Sequence, residues 1–186
     1  MRPGFKSPWG HHSDIMTDWL LELAKAVWLL IPAYFASAIP VVAHGTTPID
    51  IGRKWFDGNR IFGDTKTIGG FVAGVVGGFL VGALQSNIAL GSQVPQMTLF
   101  LAFIISFGAL VGDLAGSFIK RRFGMKPGED APFLDQLNFV FGATFFAMWF
   151  VKIGLETFFI MIIITPILHR IANIIAYKIK AKKVPW

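Results

Sequence analysis

Apolar residues in this chain run in long blocks separated by short polar stretches. Near-continuous runs cover Trp19–Ala43, Thr67–Leu84, Met97–Ile119, Leu137–Val151 and Leu155–Tyr177. About 20 consecutive apolar residues are needed for a helix to cross a bilayer. The pattern therefore predicts an all-α integral membrane protein with about five transmembrane helices, the fourth of them short, as one domain over residues 1–186. Pro32 and Pro40 interrupt the first run. The second carries Gly69, Gly70, Gly74, Gly77, Gly78 and Gly82. Small residues four apart let helices approach closely, so Gly74 onward predicts tight packing. Gly69 and Gly70 adjoin a charged loop and are open equally to packing and to making room for a lipid chain or nucleotide. Small-residue faces also permit a homodimer.

Composition agrees. The 186 residues are 54% hydrophobic and only 15% charged, against about 25% charged in a soluble domain. There are no cysteines, which excludes disulfides and thiolate metal sites. Met1–Asp18 lacks the order of a cleavable signal and reads as a short extramembrane tail. His11-His12 within it reads as inert.

The net charge of +6 would suit nucleic acid, but its distribution does not. Arg53, Lys54, Arg60 and Lys66 lie in one connection, near 44–66, and Lys120, Arg121, Arg122 and Lys126 in another, near 120–136. Arg170, Lys178, Lys180, Lys182 and Lys183 lie at the C-terminal end, whereas Gln85–Gln96 has no cation. With five crossings, all three basic segments fall on one side. By the positive-inside rule the N-terminus is outside and the C-terminus cytoplasmic. Topology and anionic headgroups account for the basic charge without nucleic acid. The same two loops hold most of the acids: Asp50, Asp57, Asp64, Glu129, Asp130 and Asp135. The topology rule does not explain that, so the loops read as one polar site.

Asp113 sits in the third apolar run, and an intramembrane carboxylate is a functional-site hypothesis by default. Asp113, Ser117 and Lys120 follow at helical spacing and share a face; the structural alternative is an Asp113–Lys120 ion pair locking the bundle. Arg121 and Arg122 come next, then Lys126 at a turn. Arginine grips phosphate oxygens in pairs, although one of the two suits interfacial anchoring. Asp113, Asp130 and Asp135 are candidate Mg2+ ligands, because Mg2+ takes carboxylates together with substrate phosphates. Glu129 is expected to face solvent. Gln136 and Asn138 could hydrogen-bond a base or ribose, but capping of the fourth helix is the better expectation for both. In the first loop Trp55 and Phe56 read as interfacial aromatics. Thr67 reads as the N-cap of the second helix, and Lys66 beside those free amides makes a phosphate cradle. His44 and His169 read as packing or interface residues. No GxxxxGK[ST], GxSxG or HExxH motif occurs.

Gly112-Asp113-xxx-Ser117-xx-Lys120-Arg121, then Lys126, a proline and Asp135, resembles the signature of the membrane CTP:phosphatidate cytidylyltransferases. The short chain and the Arg60-x-Phe-Gly-x-x-Lys66-Thr67-x-x-Gly70 loop look more like the archaeal branch, the CDP-archaeol synthases. The likeness runs from the second helix to the start of the fourth. Lys126-Pro127 stands where the bacterial and eukaryotic enzymes carry Lys-Asp. Their His-Gly-Gly segment is missing, and Asn138 stands where they have a further Asp; Asp130 is inferred to replace it.

The resemblance implies cytidylyl transfer from CTP to the phosphate of an unsaturated ether lipid, giving CDP-archaeol and pyrophosphate in phospholipid biosynthesis. It implies Mg2+ on Asp113 and Asp135, with Asp130 as a third ligand. Lys120, Arg121, Arg122 and Lys126 would hold phosphates, Ser117 would orient one, and Arg60, Lys66 and Thr67 would hold CTP or the lipid phosphate. The site would face the cytoplasm of the cell membrane. The competing readings are a CDP-diacylglycerol synthase acting on phosphatidic acid, a CDP-alcohol phosphatidyltransferase, whose spacing Asp57-Gly58-Asn59-Arg60 does not match, and a small ion-coupled transporter.

Overall fold

A computed structural model describes residues 10–43, 45–127, 129 and 131–178. It contains five helices among them: α1 (Gly10–Val42), α2 (Ile68–Gln85), α3 (Leu99–Arg122), α4 (Leu134–Ala147) and α5 (Leu155–Lys178). The chain is an all-α multi-pass membrane protein. Three helical stretches are long and apolar enough to cross a bilayer: Thr17–Val42, Ile68–Gln85 and Leu99–Arg122. The fourth helix is short, as the sequence predicts. Its 14 residues rise about 21 Å at 1.5 Å each, against a hydrocarbon core of about 30 Å. The first helix begins earlier than the apolar run does. Residues 10–18, expected as tail, form its opening turns, because nothing after Pro8 breaks the helix until Pro32.

The α3 helix packs on α4, α2 and α1, and α1 also touches α5 and α4. The buried core is built from Leu30, Ala33, Ala36, Ala102, Ile105, Ala109, Phe139, Val140 and Met161. On α2 the two faces are reversed relative to a soluble helix. Gly70, Gly74, Gly78 and Gly82 are buried. Val72, Val76, Leu80 and Leu84 lie on the outer face, each about half exposed or more, where hydrocarbon is the solvent. The glycine face is therefore consumed within the chain, against α1 and α3.

The prolines of α1 are part of that packing. Pro32 has no N–H to give the carbonyl four residues back, and the Gln85 side-chain amide donates to that carbonyl, Trp28 O, at 3.1 Å. Pro40 likewise frees Ala36 O, which approaches Gly74 so closely that a Cβ there would stand 2.6 Å from it. At Gly78 a Cβ would meet Ser106 Oγ at 2.5 Å and Pro32 O at 2.6 Å. Gly78→Ala is expected to lower stability by about 1–3 kcal/mol, since neither neighbour is a flexible side-chain end. Val76→Ala, on the outer face, should stay within about 0.5 kcal/mol. Thermal unfolding of the two variants in detergent checks the contrast.

Candidate active site

The connection between α1 and α2 is a folded loop fastened at both ends. Ile49 N donates to Lys66 O at 2.8 Å and Ile68 N to Thr47 O at 3.0 Å. Its far half turns back at Asp57-Gly58, with Trp55 N donating to Asn59 O at 2.8 Å. Asp50 is the centre of the loop. Its carboxylate accepts from Arg60 Nη2 at 2.5 Å and Nε at 3.2 Å, and from the Phe62 and Gly63 amides at 3.0 Å each. Arg60 also pairs with Asp64 at 2.7 Å.

Arg122 ties this loop to α3. It donates to Arg60 O at 2.6 Å, pairs with Asp57 at 3.2 Å, and lies 4.7 Å over the Phe118 ring. Trp55 meets the same ring edge-on at 5.3 Å. Trp55 and Phe56 are 44% and 97% exposed, as suits aromatics at a bilayer interface. The guanidinium groups of Arg60 and Arg122 are thus engaged in holding the loop.

The docked loop delivers Lys66 to α3, where Nζ donates to Asp113 Oδ2. Asp113 lies nine residues before the end of α3 at Arg122, about 13 Å along the axis. Asp113 thus lies well inside a helix apolar enough to cross a bilayer, and each side chain of the pair is 25% exposed. Thr67 is the N-cap of α2, as the sequence predicts, its Oγ1 accepting from Gly70 N at 3.1 Å and from Gly45 N at 3.2 Å.

Lys120 does not continue the Asp113 stripe as an ion pair with it. Its Nζ turns instead to Asp135, at 2.8 and 3.0 Å, and to Glu129 O at 2.5 Å. Asp135 also accepts from Ala131 N at 2.9 Å, so the 123–133 connection is closed over the end of α3. Arg121 is 6% exposed and donates from Nη2 to Lys126 O at 3.1 Å. Its Nε and Nη1 have no partner among the described residues. Lys126 and Glu129 are exposed and Ser117 is buried. Asp130 and His44 lie outside the described residues.

A cavity of about 590 Å3 opens between the helices, lined by Lys66, Thr67, Asp113, Asp135, Asn138 and His169 among others. An apolar wall faces them, including Pro40, Val41, Phe71, Leu110, Leu114 and Phe139. The structure thus brings Lys66, Thr67, Asp113 and Asp135 to one space. Among the described residues no group of three potential metal ligands converges. Asp113 and Asp135 are nevertheless hard oxygen donors on the same cavity, which suits Mg2+ shared with a substrate's phosphates.

Two lining residues escape the sequence reading. His169, read as a packing or interface residue, lines the cavity from α5. Asn138 was expected to cap α4, but the N-cap is Phe133, with φ 67° and no side-chain hydrogen bond. Asn138 instead lies inside α4, buried, with Nδ2 donating to Asp113 Oδ1 at 3.2 Å. No sequence signal marks either role, since both depend on which helices become neighbours.

Residues 18–186 match the CarS-like family, CDP-archaeol synthase. The chain belongs to this family. It is 46% identical over 163 residues to the CDP-archaeol synthase of Pyrococcus abyssi, covering 87% of this chain and 97% of that one. It is 49% identical over 168 residues to the enzyme of Thermococcus gammatolerans, covering 90% and 98%. A solved structure of an intramembrane enzyme for archaeal membrane lipids biosynthesis is similar with a TM-score of 0.73 and 39% identity. It covers 82% of this chain and 94% of its own. The family match spans every residue that lines the cavity.

Proposed function

We propose that the cavity beside Lys66 and Asp113 is where this chain transfers a cytidylyl group from CTP to the phosphate of an unsaturated archaeal ether lipid. A lipid phosphate oxygen attacks the α-phosphorus of CTP. The new P–O bond forms as the bond to the β-phosphate breaks, and pyrophosphate leaves with its electron pair. The products are CDP-archaeol and pyrophosphate. The observation that carries this reading is a lysine–aspartate pair, its carboxylate within an apolar helix, facing a cavity with both polar and apolar walls. Such a space takes a lipid by its chains and its phosphate together.

The attacking group is already an oxyanion, so the chain need not supply a nucleophile. Its residues position two anions and offset their repulsion. Lys66, just before the N-terminus of α2, holds a phosphate at the positive end of that helix. Arg121, buried with two donors uncommitted, takes oxygens of the triphosphate, with Lys120 and Lys126 flanking it. Ser117 orients a phosphate oxygen. Asp113 and Asp135 would hold Mg2+, with Asp130 as a further ligand, and the ion would supply charge neutralisation at the transferred phosphorus. Arg60 and Arg122 serve the site by fixing the loop that presents Lys66. The basic loops support a cavity mouth on the cytoplasmic side, with the C-terminus cytoplasmic and the N-terminus outside.

The test is transfer of labelled CTP by purified protein to either the geranylgeranyl ether-lipid phosphate or phosphatidic acid, with and without chelator. We expect CDP-lipid from the ether lipid, abolished by chelator. Product from phosphatidic acid only would reassign the acceptor. No product from either, in folded protein, would overturn the reading.

A further inference from the structure

Asn138 lines the cavity but has no part in the transfer described above. Asn138 is 8% exposed, and both ends of its amide are committed. Nδ2 donates to Asp113 Oδ1 at 3.2 Å, and Oδ1 accepts from Phe139 N at 2.6 Å. The orientation of the amide follows from its partners, because an ionised carboxylate only accepts and a backbone N–H only donates. The other oxygen of Asp113 is taken by Lys66. Asp113 is thus gripped at both corners, by an ammonium group on a flexible stem and by an amide fixed to a helix backbone.

The approach of α4 to α3 exists because two residues have no side chain. A Cβ on Gly116 would stand 2.5 Å from Asn138 Nδ2 and 2.9 Å from its Cβ, and one on Gly112 would strike the Asn138 carbonyl. Gly112 and Gly116 flank Asp113 on α3. The residues that admit the amide and the carboxylate it holds therefore belong to one stretch of helix.

We infer that Asn138 is the positioning residue for Asp113, and that Gly116 is glycine to give that amide its place. The inference rests on the cytidylyl-transfer reading of the cavity. The amide sets the rotation of the carboxylate, so that its unshared lone pairs face the cavity. It does so without charge.

Mn2+ is the probe, titrated by electron paramagnetic resonance into the full chain without substrates, beside kcat and KM for CTP. Residues that orient a metal-binding carboxylate typically contribute 10–100-fold in affinity or activity. Asn138→Ala should weaken Mn2+ binding by about tenfold and lower kcat by about 10–100-fold, with KM for CTP little changed. Gly116→Ala should do the same, and adding it to Asn138→Ala should lower Mn2+ affinity and kcat no further, although stability falls because alanine keeps the Cβ that lies 2.9 Å from the new methyl. Unchanged Mn2+ affinity and kcat in folded Asn138→Ala would overturn the inference. So would a Gly116→Ala loss that persists in full when Asn138 is already Ala, because Gly116 would then act through packing. If Asn138→Ala does not fold, Mn2+ affinity of Gly116→Ala decides by the same criterion. A wild type that neither binds Mn2+ nor forms product overturns the underlying reading, a result distinct from a normal wild type with unaffected variants.

Discussion

Asp113→Asn should reduce cytidylyl transfer at least roughly a hundredfold, while the protein still folds and inserts. The substitution keeps the shape of the side chain and an oxygen for Lys66, but removes the charge from a place where charge is costly to maintain. Two explanations of the Lys66–Asp113 pair are then separable. If the pair only locks α2 to α3, neutralising both partners removes two desolvation penalties along with the attraction, and the double variant recovers. If the pair serves the reaction, Lys66→Met and Asp113→Asn together restore stability and not activity. The expected result is the second: a Tm for Lys66→Met/Asp113→Asn closer to wild type than either single variant, with no CDP-lipid formed. Recovery of transfer in the double variant would leave the pair as a structural clamp.

The same residues show what a linear reading can reach. Asp113 stands out in sequence because a carboxylate interrupts an apolar run, and its neighbours cannot hide it. Thr67 is legible for the same kind of reason: an N-cap is a local event, decided within three residues by Oγ1 and the Gly70 amide. The glycines of α2 are legible as a packing face by their spacing. Pairings across the bundle are not. Lys120 is seven residues from Asp113 and shares its face, yet it meets Asp135, because the 123–133 connection folds back over the end of α3. The partner of Asp113 comes instead from 47 residues earlier in the chain. Asn138 has no local signature, since its role is created by Gly112 and Gly116 on another helix. The onset of α1 at Gly10 was missed for a different reason. Hydropathy marks where a helix enters a membrane and is silent on where the helix itself begins.

The loop that presents Lys66 depends on Asp50, and Asp50→Ala should therefore have the largest effect on stability outside the helices. The Asp50 side chain is fully buried, and Arg60 is only 25% exposed. Removing one partner of a buried pair strands the other, at a cost of about 3 kcal/mol. The backbone amides of Gly52, Phe62 and Gly63 lose their acceptor as well. Trypsin cleavage after Arg53 and Lys54 should accelerate in Asp50→Ala, and KM for CTP should rise, because Lys66 is tied through Ile49 to the same loop. The acid response has a defined sign. Burial by itself would push the Asp50 carboxyl up, but the Arg60 guanidinium and the three amides overcome it and hold the group well below the usual carboxylate range. A carboxyl depressed in the folded state contributes stability that is fully present above its unfolded value, about 3.9. That stability is lost only as pH falls from there through the lower, folded value. Hydrogen-exchange protection of the Phe62 and Gly63 amides should accordingly persist on acidification from pH 7 to about pH 4 and decline only below it. Protection that collapses in wild type between pH 6 and pH 5 would show that the carboxylate is not held by these partners.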